Sequence, residues 1–270
     1  MSLVFTNQNF SPMYFFLSHL SLSDILLITT IVPEMFHIVL NEGSTLSFAG
    51  CFTQFYFFSL SAITECLLLT VMSYDRYLAI CNPLRYFSIM DPKLCFQLTV
   101  SSWVLGIVLA LPHIVLLNQM TFCGSNIINH FFCDLVPVLK LSCSGKSASE
   151  VLNFILAIPL ALFPLLCISV TYINISSAIL RISSAIGRQK AFSTCSSHLT
   201  VVCVYYGTLV FHYVVPTKET YFGLQKLVSL LYTMATPLLN PIIYSLRNEE
   251  VRGRLMKFML TINRRIRLNK

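Results

Sequence analysis

The chain has 270 residues, of which 56% are hydrophobic and only 11% charged, with a formal net charge of +7. Soluble domains carry about 25% charged residues, so this chain lacks the polar surface that keeps a globule of its size in water and reads as a multi-span membrane protein. The excess of positive charge is no nucleic-acid signal, since the basic residues are not gathered on a soluble face, and the opening MSLVFTNQNF lacks the basic start and long apolar core of a cleavable signal peptide.

Six apolar runs follow in order, over 13–40, 51–79, 94–117, 151–179, 192–215 and 227–246. Each is long enough to cross a bilayer as a helix. Prolines interrupt several of them (Pro33, Pro112, Pro159, Pro164, Pro237, Pro241), which a membrane helix tolerates when its neighbours satisfy the freed backbone groups. Residues 1–270 are thus expected to form a single all-α transmembrane bundle. The tail 247–270, RNEEVRGRLMKFMLTINRRIRLNK, is basic and amphipathic and is expected to form a short interfacial helix.

Lysine and arginine orient the bundle. Fourteen of the 18 fall on one set of connecting segments and the tail, and four (Lys140, Lys146, Lys218, Lys226) on the other. The richer side is cytoplasmic, so the C-terminus is cytoplasmic and Cys51 faces outward. The second run is the most informative. From Cys51 to Arg76 it covers roughly 37 Å as a helix, which sets the Asp75-Arg76 pair at the inner membrane face. Glu65 falls about 16 Å inside that face and Asp24, on the first run, at a similar depth. Two carboxylates at that depth need a shared proton or a cation between them. Asp75 beside Arg76 forms an ion pair able to hold or release the arginine. Cys51, Cys123, Cys133 and Cys143 lie outside, where disulfides form; four cysteines allow three pairings, and spacing does not choose among them. Cys66, Cys81, Cys95, Cys167, Cys195 and Cys203 lie in spans or on the cytosolic side and read as small packing residues. His19, His37, His113, His198 and His212 are scattered and read as polar packing or interface residues. No nucleophile–base pair, phosphate loop or zinc motif supports an enzyme.

Five segments, PMYFFLSHLSLSD (12–24), MSYDRYLAICNPLRY (72–86), HFFCD (130–134), KAFSTCSSHL (190–199) and PLLNPIIYSLRN (237–248), closely resemble, in this order, the signature segments of vertebrate odorant (olfactory) receptors, which are rhodopsin-like G-protein-coupled receptors. The likeness runs from about residue 11 to 255, and the extra cysteine pair of the outer loop is similar to that of the tetrapod-type group. The resemblance implies a rhodopsin-like helical bundle. The chain opens where that family's first inner loop lies, so six of the usual seven transmembrane helices are expected.

The resemblance also implies roles. It selects the pairings Cys51–Cys133 and Cys123–Cys143, which make the outer loop a lid. A disulfide-bound Cys133 is no thiolate ligand, which leaves His130, Cys133 and Asp134 unsuited as a copper or zinc site. It groups Asp24, Glu65 and Asn240 as a candidate sodium site, with no other cofactor. It makes Asp75, Arg76, Tyr77, Tyr172, Lys190, Asn240, Pro241 and Tyr244 the switch that couples to a heterotrimeric G protein of the stimulatory olfactory type. It lines an odorant pocket with Phe58, Ser59, Ala62, Ile63, Cys66, Leu156, Leu160, Tyr206, Leu209, Val210, Tyr213, Tyr232 and Thr233, a set suited to small, neutral, mostly apolar volatile molecules. Ser59, Tyr213 and Thr233 are its candidate hydrogen-bonding groups. Amine receptors carry an acid where Phe58 stands and opsins a lysine where Met234 stands, so neither a cationic amine nor retinal is expected. The expected location is the plasma membrane. Two further readings stand beside the receptor: a truncated, non-signalling fragment retained in the endoplasmic reticulum, and a six-span channel or transporter, against which no repeat relates the two halves.

Overall fold

The computed structural model describes residues 10–41, 43–123, 126–144, 146–214, 227, 229–235, 237–240, 243 and 256. The described chain is helical throughout, apart from connecting loops and an isolated antiparallel bridge between Phe122 and Ser142 in the outer loop. The helices are α1 (Pro12–Leu40), α2 (Phe48–Cys81), α3 (Tyr86–Ile89), α4 (Pro92–Asn118), α5 (Leu135–Lys140), α6 (Lys146–Leu180) and α7 (Ala185–Val214), and a π-helical turn (Leu231–Ala235) precedes Pro237. Among the described residues α1, α2, α4 and the Pro159–Leu180 part of α6 are long and apolar enough to cross a membrane. The tail lies outside the described residues except for Met256.

Local chemistry sets the helix ends. Pro12 opens α1, where its missing N–H would have had no partner in any case. The Ser47 hydroxyl caps α2 by accepting from the Gly50 N–H at 3.1 Å, and the Asp91 carboxylate caps α4 by accepting from the Leu94 N–H at 2.7 Å. Asn82-Pro83 ends α2, since a residue before proline is driven out of helical conformation.

The 34-residue α2 is the axis of the bundle, packing most extensively on α1, α4 and α6. Against α4 the approach is close: a Cβ on Gly106 would fall on the Thr64 hydroxyl and lie 3.1 Å from the Leu60 carbonyl. Two apolar cores result. The inner one gathers Phe16, Leu20, Leu68, Leu69, Met72, Ile175 and Val201 among others. The outer one gathers Leu27, Ile31, Phe55, Phe58, Leu117 and Phe132. Between Leu20 and Leu27 on α1 comes Asp24, and between Phe58 and Leu68 on α2 come Ser61, Thr64 and Glu65. A buried polar layer therefore separates the two cores.

Candidate functional site

The polar layer is the first part of the site. Asp24 is 4% exposed, Glu65 2% and Asn240 2%. Asn240 Nδ2 donates to Asp24 Oδ1 at 3.1 Å and Oδ2 at 3.0 Å, and lies 3.4 Å from Glu65 Oε1. The structure thus draws together, from three helices, the three residues expected to form a cation site. Asn240 Oδ1 and the Ser61 hydroxyl are buried and have no hydrogen-bond partner among the described residues. Two carboxylates and an amide oxygen come together here, a set that suits a hard cation.

The second part is the inner end of α2. Asp75 is buried at 2% exposure, and its closest partner is the Tyr86 hydroxyl, which donates to Asp75 Oδ1 at 2.7 Å. The Arg76 guanidinium is farther, with Nε 3.9 Å from Asp75 Oδ2. Tyr86 reaches back because the Asn82-Pro83 turn, closed by the Arg85 N–H donating to the Asn82 carbonyl at 3.1 Å, reverses the chain. Burial and the adjacent Asp75 carboxylate push the Tyr86 phenol well above its ordinary range, so it keeps its proton and donates. Sequence reasoning placed Arg76 alone on Asp75 and missed Tyr86, although it stands in the same motif. Tyr77 is half-buried and its ring stacks on Tyr74.

Nearly two turns deeper, His198, read from sequence as generic packing, joins three helices. Its Nε2 lies 3.2 Å from the Leu69 carbonyl, and its Nδ1 2.8 Å from the Tyr172 hydroxyl. A carbonyl only accepts, so the proton is on Nε2 and Nδ1 accepts from Tyr172. The Tyr172 and His198 rings are stacked within 4°, and the Tyr172 hydroxyl is also 3.3 Å from the Cys195 carbonyl. Tyr172 thereby meets the KAFSTC segment at Cys195. The side chain of Lys190, and Pro241 and Tyr244 entirely, lie outside the described residues.

The third part is the outer half. Cys51 and Cys133 are disulfide-bonded with Cα atoms 5.4 Å apart, and Cys123 and Cys143 with Cα atoms 5.9 Å apart. These are the pairings the resemblance selects. The loop so tied lays Phe132 on Phe58, ring centroids 5.3 Å apart. Of the expected pocket, Cys66, Leu160 and Tyr206 meet: Cys66 Sγ is 2.9 Å from the Tyr206 hydroxyl and 3.4 Å from the Leu160 carbonyl. Leu209 packs at the edge of the inner core. Ser59, Ala62, Ile63 and Leu156 are half-buried, and the Ala62 carbonyl accepts from the Tyr205 hydroxyl at 2.7 Å. Thr233 is buried with its hydroxyl donating to the Ser229 carbonyl of its own helix at 2.7 Å, so its proton is already engaged. The side chains of Val210, Tyr213 and Tyr232 lie outside the described ones.

The arrangement has relatives. A family model described as olfactory receptor matches residues 3–262. The chain belongs to the olfactory receptor family. It is 47% identical to mouse olfactory receptor 6B9 over 252 residues, 93% of this chain and 80% of that one, and 48% identical to human olfactory receptor 6B3 over 246 residues, 91% and 74%. Rat olfactory receptor 226 is 46% identical over 250 residues. Squid rhodopsin superposes with a TM-score of 0.70 at 16% identity, covering 96% of this chain and 75% of that one, so this olfactory receptor has the rhodopsin-type helical bundle. Together with its apolar helices, that makes it a multi-pass membrane protein, of a family of receptors rather than enzymes.

Proposed function

We propose that this olfactory receptor takes small, neutral, mostly apolar volatile molecules between α2, α6, α7 and the helix around Thr233. We propose also that it passes the signal to a heterotrimeric G protein of the stimulatory olfactory type at the Asp75-Arg76-Tyr77 end. The observation that carries this reading is the meeting of Cys66, Leu160 and Tyr206 below Phe58. Three helices converge there on uncharged groups, and the two polar side chains present pair with each other. Cys66, Leu160 and Tyr206 themselves carry no charge, so shape and apolar contact do most of the selecting, at about 1–3 kcal/mol per methylene. In this reading residues 1–270 form one bundle of six spans in the plasma membrane, with 247–270 in the cytosol. Asp75, held by Tyr86, keeps Arg76 from its partner until the helices shift.

Asp24, Glu65 and Asn240 hold a sodium ion in this proposal. The unpartnered Asn240 Oδ1 and Ser61 hydroxyl support it. The ion would neutralise the paired carboxylates and brace α1, α2 and the Asn240 helix against one another.

The test is a cyclic-AMP reporter in cells expressing the chain, with surface labelling and an odorant panel. Odorant-dependent cyclic AMP from surface-labelled receptor supports the reading; surface receptor with no response to any odorant overturns it. Replacing external and internal sodium by a large organic cation is expected to change basal signalling in the parent and to leave Asp24→Asn unaffected. Equal sodium dependence in both removes the cation site.

A further inference from the structure

Gln54 sits one turn inside Cys51 on α2 and one turn above Phe58, and is 7% exposed. Both ends of its amide are engaged. Nε2 donates to the Thr30 carbonyl of α1 at 3.1 Å, and Oε1 accepts from the backbone N–H of Cys133 at 2.8 Å. A carbonyl can only accept and an N–H only donate, so these two partners fix the orientation of the amide. Thr30 stands in the turn before Pro33, whose missing N–H frees the carbonyl of Thr29, so the Thr30 carbonyl is shared rather than vacant. Neither partner is a side chain, so neither can be removed by substitution to balance the loss of Gln54.

The Cys51–Cys133 disulfide ties the loop by a side chain, and His130 Nδ1 lies 3.1 Å from the Phe132 carbonyl within the loop. The bond to Gln54 holds the loop backbone directly to α2. The residue before Cys133 is Phe132, 3% exposed, with its ring on Phe58 and edge-on to His130 at 4.7 Å. Holding the Cys133 N–H therefore sets how deeply Phe132 closes over the outer end of the space between the helices. We infer that Gln54 is a positioning residue for the odorant pocket, clamping the Phe132 lid at a fixed depth and tying it to the outer half of α1. This rests on the pocket proposed above.

The experiment compares the parent with Gln54→Met, which keeps the size and loses both bonds, and Gln54→Glu, which keeps an acceptor for the Cys133 N–H. In receptor purified in lipid nanodiscs, hydrogen exchange of the 131–134 peptide is expected to rise about tenfold in Gln54→Met and to stay near the parent rate in Gln54→Glu. Unchanged exchange in Gln54→Met overturns the clamp whatever odorants do. In the cyclic-AMP assay at matched surface density, Gln54→Met is expected to raise the half-maximal odorant concentration about tenfold with the maximal response kept. Phe132→Ala is expected to do the same, and the double variant to add little. Additive shifts, or a fall in receptor number with no shift, overturn the positioning role. A parent that responds to no odorant overturns the pocket, and the exchange result then still decides the clamp.

Discussion

At Asp75 the nearer of two partners holds the carboxylate in the place from which it faces Arg76. The Tyr86 hydroxyl is at 2.7 Å and the Arg76 guanidinium at 3.9 Å. A hydrogen bond to a charged group is worth about 1.5–3 kcal/mol net, which is the size of gap that separates the states of a two-state switch. Tyr86→Phe is therefore expected to raise odorant-free nucleotide exchange on the G protein by about tenfold or more, measured at matched receptor density; an unchanged basal rate would remove Tyr86 from the switch. The charged residues of the site were legible in the sequence because an acid inside an apolar run has few explanations, and Asp24, Glu65 and Asn240 do converge. Gln54, Tyr86 and His198 were not legible in their roles. Gln54 and His198 bond to backbone carbonyls or N–H groups of other elements, and no residue type in the partner announces such a bond. Tyr86 is brought to Asp75 by a turn whose direction the sequence does not state.

Among the elements, α2 and α4 cross closely at Gly106. Glycine in an apolar run reads as mere permissiveness; only the crossing shows that the space at Gly106 is taken by Thr64, itself fully buried. Gly106→Ala is expected to destabilise the bundle by about 1–3 kcal/mol through overpacking, seen as a lower thermal midpoint in detergent. Thr64→Ala in the same chain is expected to restore part of the loss, with the Leu60 carbonyl limiting the recovery. If Gly106→Ala melts with the parent, α2 and α4 have room to separate. The apolar run at 151–179 is likewise only part of its helix: α6 extends from Lys146 to Leu180. Membrane thickness bounds the apolar stretch, whereas a helix continues into the polar boundary as long as its backbone bonds do.

For the molecule as a whole, the Cys51–Cys133 bond joins positions 82 residues apart in sequence and so closes nearly all of α2, with α3, α4 and the first part of the outer loop, into one ring. Chain-entropy arguments assign a ring of that length about 4–5 kcal/mol. Paired serine replacement, Cys51→Ser with Cys133→Ser, is expected to lower the thermal midpoint and to leave the 131–134 amides partly protected through Gln54; complete loss of protection would make the disulfide the sole tether. The overall bundle was legible because spans are set by length and apolarity. The division into two cores with a polar layer between them was not, since it depends on which faces meet. One contrast among the helices has a mechanical consequence. α1, α4 and α6 each contain internal proline, while α2 has none from Phe48 to Cys81. Prolines are where helices bend, so α2 is built as a stiff rod from Cys51 to Asp75. A tilt of about 2° pivoting at Cys51 carries Asp75, roughly 36 Å away, through about 1 Å. That travel is enough to break a 2.7 Å hydrogen bond to Tyr86, so in the switch proposed above the rod would work as a lever whose output stroke matches the bond to be opened.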